Sequence, residues 1–276
     1  MKTLKKFLRT GLGVLGGIII LGLILMAIFA QQLAPFDPNA QDYNAILLPP
    51  GGEHLFGTDD LGRDIYSRVV YGAQISIKAA LLSVGIAILI GVPIGLLSGY
   101  FGGFWDEWVV MRSVDAMQAF PFLILALAIA AVLGNGFGNA MIAIGVGFAP
   151  AFIRITRGQV LQLRNMEYIH AAKATGVKEL RIIFSHILPN ALNPIIIQST
   201  LAMASGILAE ASLSYLGLGV QPPTPSWGSM LNQAQTIMTE SPYATIFPGM
   251  AIFLVVLGFN LLGDGLQQTL DPRIRK

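Results

Sequence analysis

Apolar positions along this chain run in long uninterrupted blocks, with the polar residues gathered between them. The blocks are Gly11 to Ala30, Ile75 to Tyr100, Val109 to Gly134, Asn139 to Ile155, Ile195 to Gly217 and Ala244 to Gly263. Each approaches the ~20 residues a helix needs to cross a bilayer, so about six transmembrane helices are predicted. The alternating segments of a membrane barrel, roughly 10 residues each, are missing. The pattern therefore predicts an all-α fold, a polytopic membrane helical bundle. The fourth block is short and ends beside Arg154, so its helix stands upright or lets the arginine snorkel to the interface. Pro121 and Pro150 are expected to kink the third and fourth spans, and Pro189 and Pro194 to reset the chain before the fifth.

Composition supports the class: 54% hydrophobic residues, 12% charged residues and a mean hydropathy of +0.67 exceed what a soluble core of this length requires. Lys2, Lys5, Lys6 and Arg9 before the first block resemble the basic region of a signal peptide. The block is longer than the 7–15 residues of a signal core and no A-x-A site follows, so it is read as a retained first helix. With the N-terminus on the cytoplasmic side, 14 of the 17 Lys and Arg fall on that side, leaving only Arg63, Arg68 and Lys78 outside. The positive-inside rule then predicts both termini and the segment Arg154 to Pro189 in the cytoplasm. The absence of cysteine excludes disulfides and thiolate chemistry.

Two outer loops remain. Gln31 to about Gln74 is acidic and rich in proline and glycine, and Val220 to Tyr243 holds a proline cluster followed by Trp227, a residue suited to a membrane interface. Both are expected to be ordered lids or docking surfaces, or else solvated linkers. The organisation predicted is a first helix with its outer loop over 1–74 and a core of five spans over 75–276.

On the inner side, Met166 to Ala174 is an alanine-rich helical run, and Val177, Leu180, Phe184, Ile187 and Leu188 form one apolar helical face. Gly176 lies between them, where a left-handed residue would end one helix and start the next. The small pair Ala171 and Ala172 beside that turn allows close backbone approach, so a short knob could enter a cleft on a partner protein.

An ionisable group stranded in lipid costs ~2.5 kcal/mol or more, which singles out Glu210. It sits near the outer half of the fifth span with Ser214 one turn on. Either it lines a pathway or outer gate, or it hydrogen-bonds across to a partner helix. Asp115, one turn after Arg112, reads as a helix-end ion pair. Three histidines in separate loops lack zinc-site spacing, no Gly-Xaa-Ser-Xaa-Gly occurs, and no G-x-x-x-x-G-K-[ST] loop could hold ATP. Nucleic acid is not implied, since the basic residues already follow membrane topology. No metal and no catalytic residue is expected on this chain.

His170-Ala171-Ala172, then Gly176 after three intervening residues, and Leu188-Pro189 resemble the EAA loop of membrane subunits of binding-protein-dependent ABC importers. Two positions depart: His170 stands where glutamate is usual and His186 where isoleucine is common, with Glu167 one turn earlier as the acidic residue left to compensate. Gly57 to Asp64, Ala211 to Gly219, Gln221 to Pro225 with Trp227-Gly228, and Gly263 to Leu266 with Leu270-Asp271-Pro272 are similar to the C-type permease of dipeptide and oligopeptide importers. The resemblance implies a type I ABC importer permease fold and a coupling loop over about 157–190 carried by Glu167, His170, Ala171, Ala172, Lys173, Gly176, Leu188 and Pro189. It implies a place in the inner membrane of a prokaryotic cell and, as partners, a second related permease, two cytoplasmic ATPases holding ATP and magnesium, an extracytoplasmic binding protein, membrane lipid and a peptide substrate. Asp59, Asp60, Arg63, Asp64 and Trp227 are then candidate docking positions for the binding protein. A nickel or metal-chelate importer shares the same motifs. A self-sufficient channel or secondary transporter is the alternative from a different class, disfavoured because no clear repeat and essentially one membrane carboxylate are present.

Overall fold

The computed structural model describes residues 6–8 and 10–270. The terminal basic residues Lys2, Lys5, Arg9, Arg273, Arg275 and Lys276 lie outside the described residues, as do Asp271 and Pro272 of the last family motif. Apolar blocks become helices here because lipid offers the backbone no hydrogen-bond partner. Helix α1 spans Gly11–Ile28, and a four-residue turn, Ala30–Leu33, leads into the outer loop. Helix α2 spans Ile65–Phe101. It starts ten positions before the predicted block because Asp64 caps it, accepting the Ser67 N–H at 2.7 Å.

The third predicted span is broken. A π-helical turn, Trp105–Val110, runs into α3, Met111–Gln118, and α4 follows over Phe122–Leu133. The two arms meet at 98°, so Pro121 ends a helix where a kink was expected. Proline drives the residue before it out of helical conformation, and Phe120 breaks the ladder.

Helix α5 spans Phe137–Leu163 and passes through Pro150 without interruption, so the short fourth span expected from the sequence is in fact 27 residues long. Helix α6 spans Glu167–Ala174. Helix α7, Glu179–Ile182, continues through a π-helical turn, Ile183–Ile187, into α8, Leu188–Tyr215. Pro194 does not reset the chain but rides inside α8. Helix α9 spans Trp227–Ala234 and α10 spans Tyr243–Leu270. Five stretches among the described residues are long and apolar enough to cross a membrane, and a sixth is reached if the bent pair counts as one.

Two close helix contacts organise the bundle. Gly91, Gly95 and Gly99 recur every fourth residue along α2, and a Cβ at any of them would press on α5, at Phe152, Ile153 or Val160. Small residues at this spacing let two membrane helices meet backbone to backbone. Gly13 and Gly16 of α1 do the same against Gly265 and Gly258 of α10. One buried apolar cluster therefore joins α2, α4, α5, α6, α7 and α8, and another joins α1, α2, α8, α9 and α10.

Candidate functional site

The inner loop is anchored by isoleucines and presents small and charged groups. Ile169, Ile182, Ile183 and Ile187 are fully buried, with Ala172 and Val177 packed against the same cluster. Glu167, His170, Ala171, Lys173 and Gly176 are exposed around that anchor. Gly176 takes φ +78, donating its N–H to the Lys173 carbonyl at 3.0 Å while Val177 donates to Ala172 at 3.1 Å. This pair of bonds with a left-handed glycine closes α6 as a Schellman motif. No heavy atom lies within 4 Å of a Cβ built on Gly176, so the turn points into open space. Leu188 is half-buried, and Pro189 occupies the first turn of α8, where its missing N–H is not needed.

The apolar face expected over Val177 to Leu188 is split. Leu180 and Phe184 are 60% and 53% exposed, whereas Ile182, Ile183 and Ile187 turn inward. The widened π turn offsets the helical phase between these residues, so the stripe no longer faces one way.

Beneath the loop, the inner end of α2 is held from several sides. Arg157 of α5 clasps Asp106 through Nε and Nη2, both at 2.6 Å, and the Ser98 hydroxyl donates to the same carboxylate. Arg164 donates to the Gly99 carbonyl at 2.9 Å, and the Lys173 ammonium sits 4.9 Å over the Tyr100 ring. A rigid path thus connects α6 to α2 and to the broken helix. Asp115 pairs with Arg154 at 2.6 Å and not with Arg112, which lies over the Trp108 ring instead. The sequence neighbour lost because Arg154 reaches across from α5 to the exposed side of α3.

The outer motif Gly57 to Asp64 forms a buried knot. Asp59 accepts from Arg63 Nε at 2.7 Å, Arg63 reaches Gln233 at 3.0 Å, and Asp64 meets His54 Nδ1 at 2.9 Å. Arg68, only 1% exposed, donates to the Pro38 carbonyl at 2.8 Å. Trp227 is buried, donating its indole N–H to the Val69 carbonyl at 2.9 Å. The expectation that Asp59, Arg63, Asp64 and Trp227 offer a docking surface is corrected: their charges and ring are consumed in folding the two outer loops together. Asp60 alone of the five keeps a substantially exposed side chain, 40% accessible.

Glu210 and Ser214 do come together. The Ser214 hydroxyl donates to Glu210 Oε1 at 2.7 Å and accepts the Val220 N–H at 2.9 Å. Glu210 is fully buried within this chain, so the expected bond to a partner helix, or a place on an open path, is not what its surroundings provide. The cause is α9: Gly228 lies so close to the Ala211 carbonyl that no side chain fits, and α9 covers this face of α8.

Residues that sequence reasoning passed over line a cavity of about 630 Å³ between α5, α8 and the end of α10. Gln159, Gln162, Asn190, Asn193, Gln198 and Gln267 border it. Their signal was present in the sequence, as carboxamides three apart on both α5 and α8. Among the described residues no cluster of three His, Asp or Glu side chains could hold a metal ion.

Residues 91–276 match the model of the family described as binding-protein-dependent transport system inner membrane component, and residues 2–50 match the N-terminal TM domain of oligopeptide transport permease C. The dipeptide transport system permease protein DppC of Alkalihalophilus pseudofirmus is 46% identical over 98% of this chain and 89% of its own length. The glutathione transport system permease protein GsiD of Pectobacterium atrosepticum is 43% identical over 98% of this chain and 90% of its own length. Among solved structures, a chain of the MetNI methionine ABC transporter in an inward-facing conformation aligns with a TM-score of 0.57 at 19% identity, covering 72% of this chain and 96% of that one, a likeness of fold. With two thirds of its length in one family model and relatives that match it almost end to end, the chain belongs to the inner membrane components of binding-protein-dependent transport systems.

Proposed function

We propose that this chain is one of two permease subunits of an ATP-driven importer, and that its cargo is a short peptide such as a dipeptide or glutathione. The observation that carries this reading is the inner loop: a closed, glycine-terminated helix anchored on buried isoleucines, with Leu180 and Phe184 exposed beside it. Apolar side chains left bare on a basic loop outside the apolar spans imply a protein partner. Two cytoplasmic ATPases supply that surface and the ATP and magnesium chemistry. The chain contributes no catalytic residue. The clasp of Asp106, Arg157, Arg164 and Lys173 around the end of α2 carries loop motion into the spans, the rigid-element requirement of a switching transporter. The loop faces the cytoplasm of a prokaryotic cell, an orientation that the distribution of Lys and Arg supports. An extracytoplasmic binding protein docks on the opposite face, where Asp60 and the exposed Tyr43 and Leu55 stand on the folded loop.

The test is reconstitution of the chain with its companion permease, ATPases and binding protein in liposomes. ATP-dependent accumulation of a labelled dipeptide or glutathione, abolished when the binding protein is omitted, is the expected result. Accumulation without ATP, or no peptide uptake by the complete assembly, would overturn the reading.

A further inference from the structure

The cavity of about 630 Å³ opens between the inner ends of three helices. Arg154, Gln159 and Gln162 come from α5, Asn190, Asn193 and Gln198 from α8, and Gln267 from the last turn of α10. Its volume falls within the range of small-molecule sites. The chemistry of its walls is polar but neutral. Six carboxamides converge with no carboxylate, and the single cation, Arg154, is neutralised by Asp115 at 2.6 Å. Of the six amides only Asn190 is engaged by a protein bond, its Nδ2 donating to the His186 carbonyl at 2.6 Å. The other five keep donors and acceptors directed to no protein group among the described residues. Amide groups left without a protein partner are kept where they face water or a polar solute.

We propose that this cavity is the inner vestibule of the translocation path and that its amides hydrogen-bond the backbone of the passing peptide. The inference rests on the importer reading above and adds the residues and their chemistry. A carboxamide presents one acceptor and two donors. It matches the –CO–NH– unit that all peptides share and discriminates little between side chains. A neutral wall also favours neither the ammonium nor the carboxylate end of a zwitterion. Six weak and interchangeable partners let the cargo step inward and leave, as conduction requires of a path.

The chain has no cysteine, which allows one to be placed at will. Gln198→Cys, in the complete transporter in liposomes, is alkylated with iodoacetamide to restore a carboxamide, or labelled with a sulfonated methanethiosulfonate to install an anion. Leu89→Cys on the exposed face of α2 and the unsubstituted chain are treated in parallel. Carboxamide restoration is expected to leave dipeptide uptake near that of the unsubstituted transporter. The sulfonate should lower it roughly tenfold or more, the scale on which single pocket contacts discriminate, while ATPase activity and subunit composition persist and Leu89→Cys stays unaffected. Full uptake after stoichiometric sulfonate labelling would overturn the vestibule while leaving the importer reading intact. So would a Gln198→Cys thiol that labels in the isolated chain but is shielded in the assembly, since the companion permease would then fill the groove. Absence of peptide uptake by the unmodified transporter would instead remove the importer reading, and this inference with it.

Discussion

Glu210 has one carboxyl oxygen on the Ser214 hydroxyl and the other without a partner in the packed interior. The interaction needs an acceptor at Oε1, which glutamine supplies as well as glutamate does. Glu210→Gln should therefore fold and assemble with an unchanged melting temperature in detergent. Glu210→Leu removes the acceptor and strands the serine hydroxyl, at a cost of about 1–3 kcal/mol, visible as a lowered Tm. Equal Tm values for the two variants would show that the Ser214 contact contributes nothing. The sequence made Glu210 conspicuous because carboxylates in spans are rare. It could not show the covering helix, since the contact that seals the site joins Ala211 to Gly228 across an irregular proline-rich loop. The pairing of Asp115 was hidden for the same reason: Arg112 is the neighbour along the helix, and Arg154 is the neighbour in space.

At the scale of elements, the spans were legible because apolar length is their cause, and their ends were not, because caps and prolines decide those. Pro93, Pro150, Pro194 and Pro248 all lie inside helices, whereas Pro121 lies at a break. Nothing in the local residue types separates these cases. The turn at Gly176 was legible, since only the left-handed region closes α6 and glycine enters it freely. Gly176→Val faces open space, so its penalty is the backbone one, about 1–2 kcal/mol, concentrated in the α6 closure. ATP hydrolysis by the assembled transporter should persist in this variant while peptide uptake falls severalfold. Uptake equal to that of the unsubstituted transporter would count against α6 as the coupling element.

For the whole molecule, the governing feature is that both outer loops fold against one another. Trp227 donates to Val69 across 158 residues, and Arg63 reaches Gln233 across 170. Gly72 gives the indole its room, and Gly228 brings α9 onto α8. Gly228→Ala should overfill this junction and destabilise the protein by about 1–3 kcal/mol, read as a drop in detergent Tm. Gly85→Ala, which meets nothing within 4 Å, serves as its control. Family motifs were legible here as conspicuous residue strings, but their role as mutual ballast was not, since each string reads as a surface loop by itself. The latch also sets an order of events during biosynthesis. Arg63 and Arg68 are made early, and Gln233, which completes their shelter, is still unmade on the ribosome. Until the segment that carries Trp227 and Gln233 has been made, the first half of the chain waits with this face open.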